Sequence, residues 1–375
     1  MVTLRKSVQQ KTAQPIIRKI VILASTTLVG LTHSANAQSV RKYSNEFLAI
    51  GVSARGVGMG NSVVASTSDV FSTYYNPTGL LSIEKDIQLG YMHSEHFAGI
   101  AKFDYGAVSY RISPNQAAAL SFIRFGVDNI PNTLNLYADG VLNYDRVTMF
   151  SVADMAFFGS YAQTLPIENL QVGGNVKIIH RIAGSFAKAW GFGFDIAARY
   201  YQNHWTFAAI ARDVTGTFNA WSFNTGELRE VVIITGNEIP ENSLEITSPR
   251  LIGAVAYNRT IFEKLNLLGE VNIDITTDKK RNTLIKSNFI SIDPQMGIEI
   301  GYDKTVYARL GVHNFQKETS ESGSKHFTVL PSIGIGLVIN NLGVDYAYSD
   351  LGNVSGALYS HMVSLHYNLY RSKNH

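Results

Sequence analysis

Beyond residue 85 the chain alternates between apolar and polar positions with a period of two. In Ala189–Tyr201 one face carries Trp190, Phe192, Phe194, Ile196 and Ala198, and the other Gly191, Gly193, Asp195, Ala197 and Arg199. Further on, Leu265, Leu267, Val271, Ile273 and Ile275 oppose Asn266, Glu270, Asn272, Asp274 and Thr276. Met296, Ile298, Ile300 and Tyr302 likewise oppose Gln295, Glu299 and Asp303. Period-two alternation is the strand signal, and no helical period persists in this part of the chain. Strands are expected at 86–93, 100–112, 116–127, 148–165, 169–183, 188–201, 204–217, 250–260, 264–277, 295–303, 305–315, 327–340, 342–349 and 358–370. Pro331 cannot donate to a ladder, so its strand should begin there or carry a bulge.

A soluble sandwich alternates too, but two details favour a membrane barrel. Soluble strands average about 5–6 residues, whereas a tilted membrane strand takes ~9–11, and most of these runs are of the longer kind. Aromatics also sit at the ends of apolar faces: Trp190 and Tyr200, Trp205 and Phe218, Tyr359 and Tyr367. That is the placement of interfacial girdles. The expected fold is therefore all-β, a transmembrane antiparallel barrel of about 14 strands, an even number as in single-chain bacterial barrels. Backbone groups in lipid must all be paired, so the sheet must close. Tight connections are expected at Ser113–Asn115, Pro166–Asn169, Gln202–Asn203 and Asp303–Lys304, and long ones at 128–147, 219–249, 278–294 and 316–326. The longest contains an apolar run, Val231–Ile234, that would fold over the mouth, contact a partner or pack on itself.

The N-terminus changes the charge picture. Arg5, Lys6, Lys11, Arg18 and Lys19 precede the apolar run Ile20–Leu31, and Ala35-Asn36-Ala37 follows. A positive n-region, a short h-region and an A-x-A site describe a secretory signal peptide, 1–37. The apolar run is too short to span a bilayer, which takes roughly 20 residues. The whole chain has 32 basic and 29 acidic residues, so removing those five basic ones leaves a slight acidic excess. No basic patch then points to nucleic acid. No cysteine is present, which excludes disulfides and thiolate metal sites. Charged residues make up 16% of the chain, beside 19 Tyr, 19 Phe and 31 Gly, against a usual ~25% charged. Such a surface suits partial contact with lipid, and the expected location is the outer membrane.

Between signal and strands lies "SARGVGMGNSVVASTSDVFSTYYNPTGL", Ser53–Leu80. Its glycines are spaced G-x-G-x-G, and Asn61 stands where a dinucleotide loop needs its third glycine. No βαβ unit follows, so Gly56, Gly58 and Gly60 are read as tight turns or as close approaches to another wall. Ser68 is a plausible helix N-cap with Asp69 in the first turn and Val70, Phe71 and Tyr74 on one face. Asn76 would cap a turn opened by Pro77 and ended by Gly79. Residues 38–85 thus read as a short helical plug ahead of a barrel at 86–370 and a tail at 371–375. Irregular backbone at membrane depth is tolerated inside a barrel.

The stretch Phe47–Leu80 resembles the N-terminal signature of the PorV/PorQ family, FadL-like outer-membrane proteins of Bacteroidetes-type bacteria associated with type IX secretion. Ala54, Arg55, Gly58, Met59, Gly60, Ala65, Asp69, Asn76 and Pro77 carry the resemblance. It implies a 14-stranded barrel with an N-terminal plug. It also implies a role in protein transport, binding cargo with C-terminal sorting domains and passing it to the translocon or surface-attachment complex. The alternative is a FadL-type channel for hydrophobic small molecules, with Phe71, Tyr74, Tyr75 and Leu80 along the path. The last clear strand ends at Leu369 rather than at the chain's end, unlike the usual terminal aromatic.

No catalytic constellation is legible. His180, His204, His313, His361 and His366 have no serine and carboxylate at local spacing. His93 and His96 would need further metal ligands that no motif supplies, and they read as a solvated turn. His361 and His366, an odd number apart, face opposite walls. Asp195, Glu270, Asp274, Glu299 and Asp303 with Arg199 and Arg309 read as a polar lumen network. No cofactor is expected.

Overall fold

The structure, a computed structural model, describes residues 44–138, 141–226, 243–277, 283–287, 290–319, 325–349 and 360–370. The expected signal segment 1–37, the run Val231–Ile234, Tyr359 and the expected tail 371–375 lie outside these.

The alternating segments form one antiparallel sheet that closes on itself, a barrel of 14 strands. They are β1 (Ile87–His96), β2 (Ala101–Ser113), β3 (Gln116–Asn132), β4 (Thr148–Thr164), β5 (Leu170–Ala183) and β6 (Ala187–Gln202). Next come β7, in two pieces (Trp205–Arg212 and Thr217–Phe223), and β8, also in two (Ser243–Thr247 and Arg250–Ile261). The rest are β9 (Leu265–Thr276), β10 (Ser291–Tyr302), β11 (Val306–Thr319), β12 (Lys325–Ile339), β13 (Leu342–Ser349) and β14 (Ser360–Leu369). Each strand pairs with its chain neighbours, and β14 returns to β1 with Leu369 opposite Ile87. Closure leaves no edge with unpaired backbone groups, as lipid demands. Among the described residues no helix is long and apolar enough to cross a membrane.

On β6 and β10 burial runs opposite to that of a soluble protein. On β6, Trp190, Phe192 and Ile196 are exposed while Asp195 and Arg199 are buried. On β10, Met296, Ile298 and Ile300 are exposed while Glu299 is buried. A Lys or Arg facing lipid at mid-depth costs about 2–4 kcal/mol, which explains why these charges point inward. Tyr110, Tyr161, Tyr200, Trp205, Tyr302 and Tyr367 are exposed within a few residues of the short turns and form a girdle there. Such rings sit at the headgroup level. Asp303 and Lys304 make one short turn with φ 52° and 54°, the left-handed pair of a two-residue hairpin.

Several strand ends depart from expectation. The segment 219–249, expected as loop, begins and ends in strand: Thr217–Phe223 pairs with Ser243–Thr247. Similarly β3 runs on to Asn132 past a bulge at Asp128–Asn129, and β11 and β12 reach Thr319 and Lys325. Residues 144–146 form a 3-10 turn and Tyr137–Ala138 pairs with Val141–Leu142 within the expected 128–147 loop. His93–His96 belongs to β1 rather than to a turn, which falls at Phe97–Ile100. Backbone ladders persist above the apolar belt, where both faces are wet and alternation fades. Pro331 neither starts its strand nor carries the bulge. It pairs with Val312, one residue beyond the β12–β13 ladder, and the irregularity falls on the neighbouring strand between His313 and Gln316.

Candidate functional site

Residues 44–83 lie within the barrel. They contain two short helices, α1 (Ala54–Gly58) and α2 (Ser72–Tyr75), with 3-10 turns at Glu46–Ala49 and Pro77–Ser82. Ser53 Oγ accepts from the Gly56 N–H at 3.0 Å and so caps α1. Gly60, at φ +62°, ends that turn. The helix expected from Ser68 begins later. Ser68 is exposed, and Asp69 Oδ1 instead accepts from the Phe71 N–H at 3.0 Å. Asn76 Oδ1 accepts from the Thr78 N–H at 3.1 Å with Pro77 at the first position, while Asn76 Nδ2 donates to Val64 O. Gly79 lies inside this turn, which continues to Ser82.

The glycines make contact with the wall. A Cβ on Gly58 would lie 3.0 Å from the Gly334 Cα, and one on Gly60 would lie 2.7 Å from the Val312 amide nitrogen. On the wall side, Gly297 and Gly311 face Met59 and Gly60 so closely that neither has room for a side chain. Gly56 has no more room, because the Tyr75 ring covers it.

Polar groups join this segment to strands around the whole circumference. Gln88 of β1 accepts from the Val70 N–H at 2.6 Å, and Ser364 of β14 accepts from the Ala54 N–H at 3.1 Å. Asn175 of β5 donates to Thr73 O at 2.9 Å, Arg199 of β6 to Thr67 O at 2.7 Å, and Arg212 of β7 to Tyr74 O at 3.0 Å. Glu270 of β9 accepts from the Ala65 and Ser66 N–H groups at 2.7 and 2.9 Å. Arg55 grips Glu299 of β10 with two nitrogens at 2.9 and 3.2 Å, and Glu299 continues through Arg309 to Asp345 at 2.6 Å each. Irregular backbone at this depth needs such partners, since an unpaired buried group costs about 1–3 kcal/mol. Burial pushes the Asp69 carboxyl up from its ordinary range, with Arg55 opposing, and likewise raises the Tyr75 hydroxyl.

Of the inward acids expected from parity, Asp195, Glu270, Asp274 and Glu299 are luminal, as are Arg199 and Arg309. Asp303 is not: it sits in the exposed turn, 3.6 Å from Lys264. The strand ends at Tyr302, so parity no longer holds at Asp303. Lys177, Arg212, Asp213, Arg250 and Asp345 join this network, and of these Lys177, Arg212, Arg250 and Asp345 occupy inward parity on their strands. Lys177 Nζ lies 2.8 Å from Asp195 and 2.5 Å from Asp213, at the gap where β7 is interrupted.

Phe71, Tyr74, Tyr75 and Leu80 are buried but do not surround a common space. Phe71 packs on Tyr105, Tyr74 edges onto Tyr75 and donates to Leu48 O, and Leu80 belongs to a separate cluster with Ile83 and Ala162. Tyr74 lines a cavity of about 40 Å³ beside Lys177, Asp195, Arg212 and Asp213. A larger cavity of about 410 Å³ lies near the long-loop end, lined by Glu46, Asn61, Arg250, Asp274, Asp293, Gln295 and His313 among others. Most residues of both linings carry polar side chains.

The histidines are dispersed. His361 is exposed beside Tyr346, His366 packs inward over Gly343, His180 stacks on Trp190, and His204 lies near Tyr257. His96 contacts Ser94 and Ser360 at 3.0 Å each, and His93 contacts Asp104 at 2.7 Å. Among the described residues no three histidines or carboxylates are placed to share a metal ion.

No protein-family model matches the chain, and no curated protein matches it in sequence. Solved structures do share its architecture. They include the CymD monoaromatic hydrocarbon channel at 12% identity, covering 86% of this chain and 98% of that one with a TM-score of 0.54. The toluene transporter TodX of Pseudomonas putida matches at 10% identity over 85% and 98% of the two chains, TM-score 0.51. The toluene transporter TbuX of Ralstonia pickettii matches at 12% over 85% and 99%, TM-score 0.50. At these identities the likeness is one of fold, a FadL-like barrel.

Proposed function

We propose that the protein is an outer-membrane transporter whose passage is closed in the resting state by residues 44–83, acting as a plug. The observation that carries this reading is the ring of hydrogen bonds from seven strands to the segment's backbone and side chains. A segment tied to every side of a bore blocks free diffusion, and its displacement is the step that would open a path. The apolar exterior and the shared architecture of transport channels support the same location and class, with export by a signal peptide.

The test is conductance in planar bilayers together with solute uptake by vesicles. The intact protein should conduct few ions, and a variant lacking residues 44–83 should conduct like an open pore. Porin-like conductance by the intact chain would overturn the plug assignment.

A second reading, the type IX secretion role, draws on the resemblance in Phe47–Leu80 and on the burial of the four candidate path residues away from any shared cavity. In that case the plug is permanent and the loop end receives cargo sorting domains and translocon proteins. Deleting the gene should then leave sorting-domain proteins in the periplasm. Unchanged surface display with impaired solute uptake would favour the channel.

A further inference from the structure

We propose that the outer wall of β1 and β2 is the contact face of a symmetric dimer, covered within the membrane by a second copy of this chain. A polar patch interrupts the apolar band there. Gln88 of β1 and Tyr105 of β2 reach the plug at Val70 and Thr73, so the even positions of β1 and the odd ones of β2 face inward. His93 and Glu95 of β1 and Lys102 and Asp104 of β2 therefore point outward. Asp104 lies six residues along β2 from Tyr110 of the girdle. That is about 15 Å into an apolar band of about 25 Å. On β6 the position six residues from Tyr200 is Phe194, and apolar side chains continue on this face to Trp190. On β10 the same count from Tyr302 reaches Met296. Charges at that depth are unfavourable against lipid, so the patch calls for a cover other than acyl chains.

The register of the two strands points to that cover. Leu89 stands opposite Val108, Tyr91 opposite Gly106, His93 opposite Asp104 and Glu95 opposite Lys102. A two-fold axis along the membrane normal, placed between β1 and β2, sets each β1 residue against its register partner on the other copy at nearly the same depth. Glu95 then meets Lys102 of the second copy, and His93 meets Asp104. Tyr91 meets Gly106, where nothing lies within 4 Å of an added Cβ and the bare backbone leaves a notch. Small residues let neighbouring elements approach closely in membranes. Leu89 meets Val108, apolar against apolar. The face is thus its own complement, as a closed two-fold interface requires. Within one chain, Tyr91 and His93 both contact Asp104 Oδ1, at 3.0 and 2.7 Å, while Glu95 lies 3.8 Å from His93. No carboxylate among the described residues pairs with Lys102, so its ammonium is available to the second copy. An anionic lipid headgroup is a poor fit, because Glu95 and Asp104 outnumber Lys102, and Asp128 holds the adjacent Arg124 at 2.9 Å.

The dimer does not depend on what the barrel carries, and its test is association alone. The chain has no cysteine, so Glu168→Cys in an exposed short turn takes one dye. Donor- and acceptor-labelled full chains are mixed in vesicles of phosphatidylethanolamine and phosphatidylglycerol, and energy transfer is followed as the protein is diluted in lipid. Transfer well above that of randomly placed molecules is expected. Glu95→Lys and Lys102→Glu should each weaken association tenfold or more, because like charges then meet across the axis. Donor chains carrying Glu95→Lys mixed with acceptor chains carrying Lys102→Glu should recover transfer, which no contact within one chain could bring about. Gly106→Trp, which fills the notch without changing charge, should weaken association comparably. Heat-dependent gel mobility reports whether each variant is folded, and Gly106→Trp decides if the charge variants are not. Transfer no greater than random for the unaltered chain would leave the patch to a different partner and overturn the proposal. Folded single variants that associate unchanged, or a mixture that fails to recover, would overturn it too.

Discussion

Gly60 and Gly106 are the same residue type under opposite constraints. Gly60 has φ +62° and a neighbouring backbone 2.7 Å from where its Cβ would be, whereas nothing lies within 4 Å of a Cβ on Gly106. A left-handed non-glycine residue costs of order 1–3 kcal/mol before any clash is counted. Gly60→Ala should therefore lower stability by more than about 2 kcal/mol, since wall backbone cannot step aside. Gly106→Ala should be neutral or gain up to about 1 kcal/mol through the unfolded chain. Urea titration of the detergent-folded barrel, followed by tryptophan fluorescence, separates the two. A second contrast lies in the plug's ion pairs. Glu299 joins Arg55 and Arg309, so Glu299→Gln takes the paired carboxylate from Arg55 and leaves Arg309 with Asp345 alone, while Arg55→Met leaves Glu299 still paired with Arg309. Breaking a buried pair costs about 3–5 kcal/mol. The same titration should show the larger loss for Glu299→Gln, and equal losses would mean that Arg309 does not depend on Glu299.

At the scale of elements, the weak place in the wall is the break in β7 and β8. Asp213–Gly216 interrupts one strand and Ser248–Pro249 the other, with Thr217 opposite Thr247 above the gap and Arg212 opposite Arg250 below it. Lys177 spans this gap, 2% exposed, between Asp195 and Asp213. Lys177→Met should cost about 3–5 kcal/mol, because two carboxylates remain buried side by side. Adding Asp213→Asn should recover a good part of it. If the double variant is no more stable than the single one in urea, the defect is packing of the lysine stem rather than charge.

This triad also marks where the sequence stops being legible. Inward parity exposes Lys177 as a luminal charge, because positions i and i+2 share a face. Its partner Asp213 sits in a strand interruption that has no parity, so only the barrel's register brings the two together. Strand ends were obscured for a related reason. The ladders outlast the apolar belt, so Thr217–Phe223 and Ser243–Thr247 pair without an alternation that betrays them. The glycines of the plug were readable as close approaches, but the wall glycines they meet, Gly311 and Gly334, belong to distant strands. The luminal cavity was unreadable because its lining comes from the plug and from strands separated by long loops.

For the molecule as a whole, the question is whether the plug moves. The chain has no cysteine, so an introduced pair reports on itself alone. The Ala54 amide lies 3.1 Å from Ser364 Oγ, and both residues are fully buried, one on α1 and the other on the strand that closes the barrel. Ala54→Cys with Ser364→Cys replaces two small side chains by others of similar volume, a change of the kind cores tolerate at less than about 1.5 kcal/mol. Oxidation, or a short bis-thiol-reactive linker, should join them and yield a cross-linked species visible on a denaturing gel only when both substitutions are present. In vesicles the joined protein should lose solute uptake and regain it on reduction, because a plug tied to β14 cannot leave the bore. Uptake that persists in the fully joined protein would show that the path does not run past α1. A folded double variant that cross-links neither directly nor through the linker would place Ala54 away from Ser364. Either result would separate the static architecture, a barrel with its charges turned inward, from the motion that transport requires.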